Sequence, residues 1–154
     1  MTAAPSQSPQ PTPAPIVVSA YQNAGRRFAA ITIPVGGTLT SPIAGTVSVV
    51  TYQFLGGEIR VGSNIPSEPF FPYITITSSE RRLILRPAAL TQDVQLIARS
   101  GEAVAVGSPL FTTRSAAASS WRTFYDRTVT AQVIASLAAW PSGAELDPVP
   151  LFSR

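Results

Sequence analysis

Apolar and polar positions alternate in short runs through the middle of this chain. Residues 73–77, YITIT, give the clearest case: Ile74 and Ile76 fall on one face, and Tyr73, Thr75 and Thr77 on the other. Period-two alternation rich in β-branched residues marks a half-buried strand. The pattern recurs at 31–33 (ITI), 46–49 (TVSV), 82–85 (RLIL) and 94–97 (VQLI). Turn signals separate these runs: Gly36-Gly37, Ser41-Pro42, Gly56-Gly57, Gly62-Ser63-Asn64, Ser100-Gly101 and Gly107-Ser108-Pro109. The spacing predicts a mainly β fold, a small barrel or sandwich over residues 16–113. Residues 65–72 hold three prolines and two phenylalanines, which predicts a long loop. Phe70 and Phe71 then either plug the core or face a partner, and plugging is the commoner outcome.

The two ends read differently. Residues 1–15, MTAAPSQSPQPTPAP, contain five prolines and no charge. Such a segment reads as a polyproline-II arm or linker, or as a disordered tail, and not as part of a core. Residues 114–140 read as helical or mixed. Val129, Ala131 and Val133 alternate like a strand, whereas Ile134, Leu137 and Ala138 fit a helical face. Alanine favours helix, so the expectation is a short C-terminal helix over 128–139, stopped by Pro141 and Gly143. Residues 141–154 are expected to be an extended tail, because Pro148 and Pro150 disfavour helix at the residues before them.

Composition narrows the chemistry. The 154 residues include no histidine, no cysteine and no lysine. That removes the usual general base, the thiolate nucleophile and soft metal ligand, and the amine that carries covalent cofactors. Serine has no base to activate it. Two carboxylates can hydrolyse glycosides, but the eight acids mostly adjoin turns. Glu80 precedes Arg81-Arg82 and Asp126 precedes Arg127, so ion pairing accounts for them. No catalytic, metal-ligating or cofactor-binding residue is assigned, and no enzyme activity or cofactor is expected.

Charged residues are 12% of the chain, against about 25% in a typical soluble domain. Sparse charge fits either a surface covered by Ser, Thr and Gln or one buried against other subunits, where charge is depleted; the second reading is carried forward. The net charge of +3 is carried wholly by arginine. The pairs Arg26-Arg27 and Arg81-Arg82, with Arg86 nearby, are too few for a nucleic-acid stripe. No run approaches the 18 or so apolar residues of a membrane span. The N-terminus shows no basic region followed by an apolar run, so no secretory signal is read there.

Two segments resemble the opening and closing turns of barrel-sandwich, or lipoyl-like, domains: residues 41–47, SPIAGTV, and residues 101–111, GEAVAVGSPLF. The resemblance implies a small barrel with tight glycine turns. It does not extend to the carrier members, which modify a lysine that this chain lacks. The overall layout, a β domain with proline-containing arms, resembles small head-decoration proteins of tailed phages.

The expectation for function is a non-enzymatic structural protein of a large assembly, a virion capsid decoration or cement protein. Its partners would be protein subunits of a capsid-like lattice, with the chain itself a homo-oligomer. An arm that adds a strand to a neighbour's sheet is one route to attachment. Its residues would be Pro9, Pro11, Pro13, Pro15, Ile16, Val17 and Val18, with Phe70, Phe71 and Trp121 as interface aromatics. The alternatives are a lipoyl-like adaptor module in an envelope complex and a carboxylate-based hydrolase.

Overall fold

The computed structural model describes residues 16–55, 58–61, 70–87, 94–113 and 133–152. Side chains are described for these except Asn23, 51–55, 58–61, 70–72, Pro87 and Val94. Twelve described strands run in chain order. They are β1 (Val17–Asn23), β2 (Arg26–Thr32), β3 (Thr38–Thr40), β4 (Gly45–Leu55), β5 (Glu58–Val61) and β6 (Phe70–Thr77). They continue as β7 (Arg81–Pro87), β8 (Val94–Leu96), β9 (Ala103–Val104), β10 (Pro109–Thr113), β11 (Val133–Ala139) and β12 (Glu145–Leu146). One short helix follows, α1 (Val149–Phe152). The fold is mainly β, as the alternation predicts. Among the described residues no helix is long and apolar enough to cross a membrane.

A nine-stranded antiparallel sheet runs β1-β2-β11-β7-β6-β4-β5, with β12 beside β11 and β9 beside β4. A three-stranded sheet runs β3-β10-β8. Both sheets contribute to one apolar core. Ile74, Ile76, Leu83, Leu85, Ile31 and Val133 come from the larger sheet, and Leu39, Leu110 and Phe111 from the smaller. The residues of YITIT behave as read: Ile74 and Ile76 are fully buried, while Tyr73, Thr75 and Thr77 are half-buried.

The sequence reading of the C-terminal segment needs correction. Residues 133–139 form strand β11 and not a helix, and they lie between β2 and β7 in the larger sheet. Val133, Ala135 and Leu137 enter the main core. Ile134 joins Phe28 and Ala30 in a second cluster on the opposite face. Burial on both faces erases the alternation that identifies a strand, and the alanines then mimic helix composition. Residues 128–132 lie outside the described residues. The stretch expected as an extended tail also folds back. It carries β12 and α1, with Leu151 buried in the core. The described helix α1 begins ten residues beyond the end of the helix expected at 128–139.

Phe70, Phe71 and Pro72 were expected in a loop and instead open β6, opposite Gln53, Tyr52 and Thr51 of β4. Proline is tolerated in a strand where one side lacks a partner. The β6–β7 pairing begins only at Ile74, so at Pro72 the missing N–H interrupts no ladder on the β7 side.

Two positions show local backbone demands. The β1–β2 hairpin turns on two residues, Ala24 at φ 52° and Gly25 at φ 76°. Positive φ at both central residues defines the turn that matches strand twist. Gly45 opens β4 with no room for a side chain, since an added Cβ would lie 2.6 Å from the Thr77 carbonyl oxygen.

Two stability predictions follow from these sites. Ala24→Asn, which tolerates left-handed φ, raises stability by about 0.5–1 kcal/mol in urea titration. Gly45→Ala lowers it by about 1–3 kcal/mol, because backbone and not a movable side chain blocks the methyl group. An unchanged midpoint for either variant overturns the corresponding reading.

Candidate binding surfaces

Strand β1 lies at the end of the larger sheet and is bonded to β2, from Val17 opposite Thr32 to Asn23 opposite Arg26. No other described strand lies beside it. Its sequence, VVSAYQN, contains neither charge nor proline, two of the devices that blunt an edge, and α1 packs against the strand. Val18 packs against the main core. Tyr21 turns to the other face, its ring 5.8 Å from that of Phe28, over which Arg26 places its guanidinium at 5.6 Å. Ile16 is 37% exposed and Val17 55%.

Of the residues singled out from sequence, Ile16, Val17 and Val18 therefore sit at this edge. Val17 and Val18 bond to the chain's own β2 on one side. Pro9, Pro11, Pro13, Pro15 and Trp121 lie outside the described residues. Phe70 and Phe71 are placed by backbone in β6, with side chains outside the description.

The opposite side of the sheet is closed differently. One flank of β4 pairs with β6. On the other flank β9 meets Gly45 and Thr46, and β5 takes over from Tyr52 to Leu55. Between them, the Val47 amide donates to the Glu102 carbonyl at 2.9 Å, and the Gly101 amide donates to the Val47 carbonyl at 2.8 Å. The Ser100 hydroxyl accepts from the Val49 amide at 2.8 Å. The segments 41–47 and 101–111 thus interlock, and the Ser41 and Gly107 amides donate to the Ser108 and Ser41 carbonyls, each at 2.8 Å.

A second surface lies on the sheet face away from the main core. There Arg82 is opposite Thr77, and Ile84 is opposite Thr75. Arg82 sets its guanidinium carbon 3.4 Å from the centroid of the Trp140 ring, and its Nε donates to Thr77 Oγ1 at 3.2 Å. Arg86 donates from Nε and Nη2 to the Tyr73 hydroxyl at 3.3 and 3.1 Å. The sequence expectation of a Glu80–arginine pair is not met. Glu80 instead offers its backbone carbonyl to the Trp140 amide at 2.8 Å. Trp140 escaped the sequence reading because no local pattern tied it to Arg82.

Among the described residues the ion pair is Arg27–Glu145, at 3.3 Å from Nε to Oε1. The same oxygen accepts from the Arg27 backbone amide at 2.8 Å. That backbone bond holds the Glu145 carboxyl below its ordinary value, with further help from the Arg27 side chain and the charges of Arg27 and Arg26. Asp147 accepts from the Val149 amide at 3.1 Å and so caps α1. The described acids with placed side chains, Glu80, Glu102, Glu145 and Asp147, are all exposed. No group of three or more His, Cys, Asp or Glu among the described residues is arranged to hold a metal.

A carboxyl depressed by folding stabilises the protein above its unfolded value and loses that contribution as pH falls through the folded value. Stability therefore declines from the ordinary glutamate value of 4.5 downward. In Glu145→Gln this part of the decline is absent, so its urea midpoint changes less than that of the wild type between neutral and acid pH. Equal changes in both proteins overturn the assignment. No family model, no curated protein and no solved structure matches the chain.

Proposed function

We propose that this chain is a non-enzymatic structural protein of a large assembly, a capsid decoration or cement protein that joins neighbouring subunits. The observation that carries the reading is β1, a seven-residue edge without charge or proline that begins just after the proline-rich segment 1–15. Its outward N–H and C=O groups can accept a strand from a neighbour, and main-chain bonds give such contacts their strength. The exposed side chains of Ile16 and Val17 add apolar area, at about 25 cal/mol per Å² removed from water. On a lattice, several weak contacts of this kind act together, so attachment exceeds the affinity of each. Low overall charge and arginines set on aromatic and hydroxyl groups fit a surface that meets protein.

One observation favours a second reading, a lipoyl-like adaptor module. The two segments that resemble that family, 41–47 and 101–111, bond to each other in space. The two readings differ in the particle that holds the chain, a capsid or an envelope complex.

The test uses the double variant Val17→Lys, Ser19→Lys. Both positions are exposed, so folding stability should change by no more than about 0.5 kcal/mol. In gradient sedimentation of native material the wild type travels with large particles, and the variant remains in the light fractions. Co-sedimentation of the variant, or a wild type found only in the light fractions, overturns the proposal.

A further inference from the structure

We infer that residues 145–152 form an acid-sensitive clasp: they hold the β1–β2 hairpin against the sheet through carboxylates, and they loosen locally when those carboxylates are neutralised. The clasp acts within one chain and does not depend on the assembly proposed above.

A fork in the sheet makes room for it. Strand β11 pairs with β2 only from Val133, opposite Ile31, to Ala135, opposite Ala29. Further on it pairs with β12, Leu137 opposite Leu146 and Ala138 opposite Glu145. From Arg26 to Phe28, the flank of β2 nearest β11 therefore pairs with no described strand. Glu145 fills part of that gap. Its Oε1 accepts from the Arg27 backbone amide at 2.8 Å and from Arg27 Nε at 3.3 Å. A side-chain carboxylate thus takes the place that a backbone carbonyl holds in a ladder.

The rest of the clasp is thinly attached. Asp147 Oδ1 accepts from the Val149 amide at 3.1 Å and caps α1. Helix α1 packs against β1, and Leu151, 9% exposed, is the least buried member of the main core. A helix of one turn has no stability of its own, and β12 is two residues long. Segments with so few buried contacts open before the rest of a fold.

The placement of charge makes this opening respond to acid. Among the described residues, Glu145 and Asp147 are the carboxylates that accept hydrogen bonds. Strands β6 and β7 are joined by backbone, hydroxyl and arginine groups, which do not titrate in acid. Arg26 and Arg27 of β2 face the clasp, while β11 and α1 bring no charge and β1 brings only Tyr21. Beyond β11, Arg82 stands opposite Ala138 and lies on Trp140. Neutralising Glu145 therefore leaves Arg26 and Arg27 without their anion. Charge-assisted hydrogen bonds are roughly twice as strong as neutral ones. Folding holds the Glu145 carboxyl below its ordinary value, so the closed clasp favours the ionised form and opens more often as pH falls through the folded value.

Hydrogen exchange of the full chain, followed by mass spectrometry at about pH 7 and about pH 3, tests this on either side of ordinary carboxyl values. Exchange is expressed as protection, so that its intrinsic pH dependence cancels. In the wild type, protection of 145–152 is expected to fall about threefold more than that of 74–85. The double variant Glu145→Gln, Asp147→Asn keeps both acceptors, asparagine being a good cap, and removes both charges. In this variant the two segments are expected to change by the same factor. An equal fall in both segments of the wild type overturns the inference, and so does a selective fall at 145–152 that persists in the double variant.

Discussion

The larger sheet depends on β11. Among the described strands, β11 alone joins the β1–β2 hairpin to the run β7-β6-β4-β5. Its register shows the join: Ala135 pairs with Ala29 on one side and Leu85 on the other, and Val133 with Ile31 and Pro87. Small and apolar side chains suit the place, because both faces of β11 are covered. Ala135 enters the main core, and Ile134 enters the cluster with Phe28 and Ala30. The same insertion decides which edge is open. Strand β2 has β11 on one side and β1 on the other, so β1 pairs with one described strand, and α1 packs against it.

That constraint also explains what could be read from sequence. YITIT was legible because one face meets the core and the other is half-exposed, so hydropathy follows the pleat. VIASLAA was not, because two-sided burial removes the polar beat. Strand β2 repeats the lesson: four consecutive buried residues, Phe28 to Ile31, conceal its first half, and only ITI at its end alternates. The edge residues Ile16, Val17 and Val18 were picked out by their position after the prolines. Their edge status came from pairing with residues far along the chain, which no local window contains. Arg27 and Glu145 are 118 positions apart, and that pair was equally invisible. Neighbours in sequence misled in the other direction, since Glu80 stands next to Arg81 and Arg82 without pairing with either.

Arginine without lysine gives this chain a particular way of handling its few charges. A guanidinium is planar and weakly hydrated, so it can lie on an aromatic ring while its edge donates hydrogen bonds. Arg82 does both, between Trp140 and Thr77. Arg86 bonds the Tyr73 hydroxyl through two nitrogens. These cations thereby brace the outer sheet face, linking β7 to β6 and to the turn after β11. Strand β1 itself keeps no charge.

The two flanks of the sheet thus meet the same physical demand in opposite ways. Every edge strand presents backbone donors and acceptors that need partners. At β4 the chain supplies them itself, and the fit is tight enough that Gly45 cannot hold a methyl group beside Thr77. The interlocked segments 41–47 and 101–111 close that flank with bonds from Val47, Val49 and Gly101. At β1 no second described strand answers; the strand carries neither charge nor proline, and α1 packs against it. The described fold thus closes the β4 flank with its own backbone bonds, and it is the β1 flank on which the proposed assembly role rests.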